Sequence, residues 1–146
     1  MSLAVVYSRA SLGIAAPQVT VEVHLSNGLP AFNMVGLPET SVKESRDRVR
    51  SALLNGNFEF PPKHITVNLA PADLPKEGGR FDLAIAIGIL AASKQIPAKH
   101  LLDHEFLGEL ALTGEIRPVL GVLPAVLACR NAGRTLLVPR ENGPEA

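Results

Sequence analysis

A loop rich in glycine and charged residues stands directly before the most apolar stretch of this sequence. The loop carries Lys76, Gly78, Gly79 and Arg80, and residues 83–92 after it are apolar on every side of a helix. A helix without a polar face belongs in a protein core, so the loop before it is held at a fixed place. The glycines let backbone N–H groups approach an occupant, and the helix N-terminus adds free donors and a partial positive charge. The loop can therefore hold an anion, a nucleophile or an oxyanion, or it can be only a tight connection.

A predicted helix earlier in the chain carries a second group of cations. Its start has capping-box spacing, with Ser41 as the cap and Glu44 as its partner, and Thr40 is the alternative cap. The helix ends at Asn55-Gly56. The stripe expected to face the core comprises Val42, Ser45, Val49, Ala52 and Leu53. The cations expected to lie largely away from that stripe are Lys43, Arg46, Arg48 and Arg50.

That basic helix face has two interpretations. It can bind the phosphates of a nucleic acid, or it can be a solvated face that Glu44 and Asp47 partly neutralise. The stretch interleaves no aromatic residue that could stack a base, which favours the solvated face.

Alternation of apolar and polar residues predicts the strands around the central helix. The clearest strand is residues 18–26, and Asn27-Gly28 predicts a hairpin that returns through residues 31–37. Further strands are expected at residues 3–10, 64–69, 106–112 and 135–138, with a last helix at residues 121–132. This order predicts an α+β fold, in which helices pack on one side of a mixed sheet in two layers.

Composition excludes several classes of protein and site. Lysine plus arginine equals aspartate plus glutamate, at 14 each, so any basic surface has to be local. One cysteine, Cys129, allows no internal disulfide and is expected to be a small core residue. Four histidines do not have the spacing of three or four converging zinc ligands, so we predict no metal site. The apolar residues 83–92 are too few to span a bilayer, and we expect a cytoplasmic protein without a membrane partner.

The sequence carries no nucleotide-binding loop of its own, because G-x-x-x-x-G-K-[ST] occurs nowhere in it. We therefore expect no cofactor in this chain. Residues 140–146 are polar, and they are expected to begin a linker that leads to further protein.

Three motifs give the sequence a family resemblance. They are VGLPE at residues 35–39, VKESRDRVRSA at residues 42–52 and NLAPADLPKEGG at residues 68–79. In this order they resemble the N-terminal domain of the ComM/YifB family of magnesium-chelatase-like AAA+ ATPases. The resemblance implies a Lon-protease-like domain of the ribosomal protein S5 domain 2-like fold over residues 1–139. It also implies a missing ATPase domain that binds ATP and magnesium, and a hexameric ring that binds DNA and drives branch migration in natural transformation.

The resemblance to Lon implies a peptidase site that this sequence has lost. The Lon loop reads Pro-Lys-Asp-Gly-Pro-Ser-Ala-Gly, and its serine is the nucleophile. Here Arg80 occupies the serine position, and a guanidinium cannot accept an acyl group. The partner lysine should stand near Ala125, yet no lysine occurs after Lys99. We therefore expect a non-catalytic domain.

The sequence predicts a domain that supports ring assembly and DNA binding, with a protein-interaction module that does not touch DNA as the alternative. The residues expected to contact DNA are Lys76, Arg80, Lys43, Arg46 and Arg50. Lys76 and Arg80 are expected to matter most, since they flank the glycines at a helix N-terminus. The competing expectation is that Arg80 only pairs with an acidic neighbour, which would be Asp82, Glu77 or Asp73.

Overall fold

The computed structural model describes residues 2–76 and 78–145. Its strands are β1 (Ser2–Arg9), β2 (Gln18–Ser26), β3 (Ala31–Val35), β4 (His64–Ala70), β5 (His104–Phe106), β6 (Glu109–Leu110), β7 (Ile116–Arg117) and β8 (Thr135–Leu137). Its α-helices are α1 (Glu39–Asn55), α2 (Asp82–Ala92) and α3 (Val122–Asn131). Short 3-10 helices cover Leu101–Asp103 and Arg140–Glu145. Within the described residues, no helix is long and apolar enough to cross a bilayer.

Six strands form one mixed sheet in the order β3-β4-β2-β1-β5-β8. β2 is antiparallel to both β1 and β4, while the β3–β4, β1–β5 and β5–β8 pairs are parallel. β6 and β7 form a separate antiparallel hairpin. The predicted α+β fold with a mixed sheet and packed helices is confirmed.

One face of the sheet is covered by α2. On β2 every second residue is buried, with Val19, Val21 and Val23 fully enclosed, as the alternation predicts. α2 is buried along nearly its whole length and contacts β1 and β2. Gly88 permits this contact, because a Cβ at that position would lie 2.6 Å from Cγ2 of Val23. The loop before α2 is therefore anchored by a core helix, as expected.

The predicted hairpin between β2 and β3 is wrong. β4 lies between these strands, and β3 pairs with β4 in parallel, with Phe32 beside Ile65. The Asn27-Gly28 signal describes only the local turn. β4 lies in the buried part of the sheet, so its backbone N–H and C=O groups on both edges need partners, and β2 and β3 supply them. Phe32 of β3 also stacks on Phe60, with 6.3 Å between the ring centroids.

The single strand predicted at residues 106–112 is also wrong, because the chain leaves the main sheet at Gly108. The N–H of Leu107 still donates to the Leu137 carbonyl at 3.0 Å, beside β8. The N–H of Gly108 instead donates to the carbonyl of Arg80 at 3.1 Å, and β6 then pairs with β7. Backbone hydrogen bonds with the loop before α2 thus replace those of the sheet.

The predicted cap of α1 is wrong, whereas its end is confirmed. α1 begins at Glu39 after Pro38, and no side chain caps it. The N–H of Val42 donates to the Pro38 carbonyl at 3.0 Å, which places Ser41 inside the first turn. Proline fixes the backbone angle that starts the helix, so a hydroxyl cap is not needed there. α1 ends at Asn55, as the sequence predicts.

Residues 140–146 were expected to start a linker, and part of this segment packs on the domain. Asn142, which is 2% exposed, accepts a hydrogen bond from the N–H of Val119 at 2.9 Å and donates to its carbonyl at 3.0 Å. The Arg140–Glu145 helix therefore covers the loop before α3. The boundary after residue 139 stays a prediction.

Candidate functional site

The loop before α2 is a tight connection whose backbone donors are largely in use. The N–H of Asp82 donates to the Gly79 carbonyl at 2.9 Å, and the N–H of Leu83 donates to the Gly108 carbonyl at 3.1 Å. The first donors of a helix are the ones that would hold an anion. At the start of α2, neighbouring carbonyls already occupy two of them.

The side chain of Glu109 lies closest to the second glycine of the loop. A Cβ at Gly79 would lie 2.5 Å from Oε1 of Glu109 and 2.6 Å from its Cγ. Gly78 serves the backbone instead, since its φ of +70° lies in the left-handed region that favours glycine. The two glycines thus shape the loop for different reasons.

Arg80 is buried beneath this loop. It is 8% exposed, its Nε donates to the Arg9 carbonyl at 3.0 Å, and its Nη1 donates to the Leu120 carbonyl at 2.7 Å. Its Nη2 is buried and has no hydrogen-bond partner in the described part of the chain. Burial lowers the pKa of the guanidinium from its usual value, which is the direction expected for a cation without a counter-charge.

The expected pairing of Arg80 with an acidic neighbour is not what the structure shows for Asp82 and Asp73. Asp82 pairs with Arg48, and among the described residues no ion pair joins Arg80 to Asp73. Glu77, the third candidate, lies outside the described residues. Among the described residues, the hydrogen-bond partners of the Arg80 side chain are the carbonyl oxygens of Arg9 and Leu120.

Lys76 is likewise turned inward. It is 6% exposed, and its Nζ donates to the Pro71 carbonyl at 2.6 Å and to the Leu74 carbonyl at 2.9 Å. Burial lowers its pKa, and the charge of Asp73 opposes that shift in part. Lys76 and Arg80 thus lie together as predicted, but neither presents its charge openly to solvent. Their contact with DNA stays a prediction.

A pocket of about 660 Å³ opens beside these two cations. Its volume lies in the range of small-ligand sites. Its charged lining residues are Lys76, Arg80, Glu109 and Glu141. Its apolar wall includes Pro75, Phe81, Pro118, Val119 and Leu120. The pocket therefore combines one deeply buried guanidinium with a largely apolar wall.

Beside the loop, a buried ion pair joins α1 to α2. Asp82, which is 1% exposed, accepts from Nε of Arg48 at 2.6 Å, from Oγ of Ser45 at 2.8 Å and from the N–H of Leu110 at 3.1 Å. Burial raises the pKa of Asp82, and the hydrogen bonds from Arg48 and Ser45 oppose the shift. Arg48, expected to lie away from the core, is thus a structural residue of the α1–α2 contact.

A second buried cluster was not predicted from the sequence. Glu105 is fully buried and accepts from Arg9 at 2.7 and 2.8 Å and from Arg134 at 3.0 Å. The guanidinium of Arg134 also lies 3.8 Å from the centre of the Tyr7 ring. Burial alone would raise the pKa of Glu105, but the hydrogen bonds from the two arginines lower it. Glu105 directly precedes the strand predicted at residues 106–112 and follows Asp103 and His104, so no local pattern marks it as a buried residue.

The remaining cations of α1 lie at the surface. Lys43 and Arg50 are exposed, and Arg50 lies 5.9 Å from the centre of the Phe60 ring. Arg46 pairs with Asp47 at 3.1 Å, and both side chains remain accessible. Three of the predicted nucleic-acid contacts are therefore free to meet a partner, while their role stays a prediction.

The positions at which the resemblance to Lon places the peptidase pair are Arg80 and Ala125. Arg80 is tied to two carbonyls, and Ala125 is fully buried on α3 in a small apolar cluster with Ala16 and Leu107. Cys129, predicted to be a core residue, is buried, and burial raises the pKa of its thiol to about 11. The described residues contain no group of three or more potential metal ligands.

Comparison with known proteins places the chain in a family. Residues 21–142 match the family described as subunit ChlI of Mg-chelatase. The chain belongs to the ChlI family. It is 66% identical over 146 residues to the competence protein ComM of Haemophilus influenzae, covering 100% of this chain and 29% of that protein. It is 59% identical over 145 residues to the protein YifB of Salmonella typhimurium, covering 99% of this chain and 29% of that protein.

A more distant relative supports the Lon-like fold of this ChlI-family chain. The Lon protease of Dictyoglomus thermophilum is 35% identical over 108 residues, which cover 71% of this chain and 13% of that protein. The predicted resemblance to the ComM/YifB family and to Lon is thereby confirmed. The chain spans about 29% of the length of the ComM and YifB relatives it matches.

Proposed function

We propose that this chain is a non-catalytic domain of a magnesium-chelatase-like AAA+ protein, where it supports ring assembly and DNA binding. The name of the Haemophilus relative, a competence protein, supports a role in recombination during natural transformation. ATP and magnesium would bind in an ATPase domain outside this chain, because these 146 residues contain no Walker A sequence.

The non-catalytic assignment rests on the position of Arg80 and on its hydrogen bonds. In the resemblance to Lon it stands at the serine position, and its guanidinium is fixed by the carbonyls of Arg9 and Leu120. A protonated guanidinium offers no nucleophile. Ala125, at the lysine position, offers no base to activate one. Both halves of the peptidase chemistry are absent at the positions where the resemblance implies them.

Restoring one half of that pair tests the assignment. Arg80→Ser supplies a hydroxyl without a lysine, so we expect no cleavage of casein or of a fluorogenic peptide. The matched variant Arg80→Ser/Ala125→Lys supplies both the hydroxyl and the lysine amine. Its activity, compared with that of Arg80→Ser, reports whether the geometry of the two positions lets these groups act together. Peptide cleavage by the wild-type chain, abolished by changing a residue elsewhere, would show that a different site is catalytic.

For the DNA-binding part, we infer that α1 is the contact surface. Lys43 and Arg50 are exposed, whereas Lys76 and Arg80 are covered and hydrogen-bonded to carbonyls. The rigid backbone of a duplex is neutralised by cations it can reach at the surface. This reverses the order of importance that the sequence predicts.

The relative importance of the two groups of cations for DNA binding is measured in a full-length ring-forming protein, by titrating DNA at several salt concentrations. Lys43→Ala/Arg50→Ala should weaken binding and reduce the salt slope by about two. Lys94→Ala/Lys99→Ala removes two other exposed charges and is the matched control. A larger effect of Lys76→Ala/Arg80→Ala than of the α1 pair, in a folded protein, would restore the order predicted from sequence.

Exposed leucines support the ring-assembly part and also the alternative function. Leu123 and Leu127 are 52% and 53% exposed, and their i, i+4 spacing places them on one side of α3. Leu120, in the loop before α3, is 86% exposed. Apolar groups left open in this way mark protein contacts. In the alternative, this surface docks a partner protein and the domain does not touch DNA. Salt-dependent DNA binding by the 146-residue chain itself would exclude that alternative.

A further inference from the structure

The guanidinium of Arg80 is a buried charge that has no counter-charge among the described residues. Two of its five N–H donors are used, by the carbonyls of Arg9 and Leu120. No carboxylate of the described residues pairs with it, and its Nη2 is buried without any partner. An unpaired buried charge is costly unless a ligand or counter-ion completes it. The side chain that carries this charge lines the 660 Å³ pocket.

The walls of this pocket limit what kind of anion fits. Glu109 and Glu141 line it together with Lys76 and Arg80. Because two carboxylates are already present, a dianion such as phosphate would be repelled more than a single negative charge. The remaining wall, which includes Phe81, Pro118 and Val119, suits an apolar side chain.

The depth of Arg80 also argues against a nucleic acid as the occupant. The side chain is 8% exposed, and two of its nitrogens donate to backbone carbonyls. A duplex backbone contacts cations that project from a surface, as those of α1 do. A narrow, extended chain reaches a pocket floor more readily than a duplex does.

We propose that this pocket binds a peptide segment through a carboxylate that Arg80 holds, with a neighbouring apolar side chain of the peptide against Pro118 and Val119. The donor left for a carboxylate oxygen is Nη2, which has no hydrogen-bond partner among the described residues, and a hydrogen bond between two charged groups is stronger than one between neutral groups. The site would make the domain a receptor for a partner protein. It goes beyond the proposed role in ring assembly and DNA binding and does not depend on it.

Two sources can present such a carboxylate, namely a peptide C-terminus and an aspartate side chain. Three probes separate them: acetyl-Leu-Val as the free acid, the same peptide as its methylamide, and acetyl-Leu-Asp as its methylamide. Calorimetry with the 146-residue chain should show binding of at least one acidic probe. The neutral methylamide should bind about tenfold more weakly or worse, because it lacks the charge-assisted hydrogen bonds.

The assignment to Arg80 is tested with a matched pair of variants. Arg80→Met should weaken the acidic probe about tenfold or more, while Arg130→Met, which removes an exposed arginine of α3, should not. If Arg80→Met does not fold, the NMR signal of the Arg80 Nε–H in the wild-type chain replaces it. That signal should shift with the acidic probe and stay in place with the methylamide.

Three results would overturn the proposal. The acidic and neutral peptides could bind equally or not at all at millimolar concentration. Inorganic phosphate could compete with the acidic peptide and bind more tightly. A DNA duplex could shift the Arg80 signal while the acidic peptides leave it unchanged. The peptide and phosphate measurements involve neither ring assembly nor DNA, so they fail or succeed separately from the proposed function.

Discussion

Two buried arginines of this domain lie next to each other, and within the described residues only one of them has a carboxylate partner. Arg9 is 7% exposed and Arg80 is 8% exposed, and Nε of Arg80 donates to the carbonyl of Arg9. Arg9 holds Glu105 through two hydrogen bonds, and this contact raises the pKa of its guanidinium. Arg80 has no carboxylate within the described residues, and burial lowers its pKa.

The difference separates a structural charge from a charge kept for binding. A buried cation with a carboxylate partner holds strands together, as Arg9 and Glu105 hold β1 to β5. A buried cation without one contributes less to stability, and it retains donors that a ligand can use. Variants that remove each kind of contact should therefore differ in how much stability they lose, and removing the carboxylate partner of Arg9 should cost the most.

Breaking the paired region should have the largest effect. Glu105→Gln places an amide donor where Arg9 and Arg134 both require an acceptor. Removing one partner of a buried ion pair leaves an uncompensated charge, so we expect the free energy of unfolding to fall by about 3 kcal/mol. Urea denaturation measures this, with Glu44→Gln on the exposed side of α1 as the matched control.

The same pair gives the stability a defined pH dependence. The arginines lower the pKa of Glu105 from its usual value of 4.5, so its contribution is complete above that pH. As the pH falls below 4.5, the unfolded chain takes up this proton first, and the contribution is lost. The gap in stability between the wild type and Glu105→Gln should therefore narrow in acid. A gap that stays constant down to the acid transition would contradict the pairing.

The ion pair between α1 and α2 should show the next largest effect. Arg48→Met removes the main partner of Asp82, which keeps only Ser45 and the N–H of Leu110. A hydrogen bond to a buried charged group contributes about 2 kcal/mol, and we expect a loss of that size. Arg46→Met on the same helix breaks an exposed pair and should change stability by less than about 0.5 kcal/mol. Equal effects of both variants would mean that Arg48 does not stabilise the contact.

The sequence was sufficient for what depends on periodicity. The alternation of residues 18–26 and 64–69 correctly identified two strands and their buried faces, and the apolar residues 83–92 identified the core helix. The sequence-based predictions were wrong where the fold depends on pairing between strands that are far apart in the chain. A turn signal at Asn27-Gly28 cannot show that another strand will lie between the two it connects, and nothing local marks Gly108 as the point where a strand leaves the sheet.

The candidate site was located by sequence, but its electrostatics were not. The sequence predicts a site at Lys76, Gly78 and Arg80 before α2, and the three residues line one pocket. Whether a cationic side chain is exposed or buried depends on which acidic residues, far away in the sequence, form ion pairs with it. Arg48 meets Asp82, 34 residues away, and Arg9 meets Glu105, 96 residues away. Those separations put the pairing, and hence the unpaired state of Arg80, beyond the reach of local patterns.

A smaller effect is expected from closing the space between the loop and β6. Gly79→Ala places a Cβ where the Glu109 side chain now lies, and that side chain is flexible enough to move. We expect a loss of about 1 kcal/mol and a shifted Glu109. Gly79→Ala combined with Glu109→Ala removes the clash and should recover part of the loss. Failure to recover any of it would show that the backbone of the loop, and not Glu109, requires the glycine.

The most direct test of the central claim compares the unfolding free energy of Arg80→Met with that of the wild-type chain. The variant loses two hydrogen bonds to carbonyls and also the cost of burying an unpaired charge. These effects oppose each other, so we expect a change within about 1 kcal/mol, well below that of Glu105→Gln. A loss of about 3 kcal/mol or more would mean that Arg80 is a structural brace like Arg9, and the assignment of a binding role to it would be wrong.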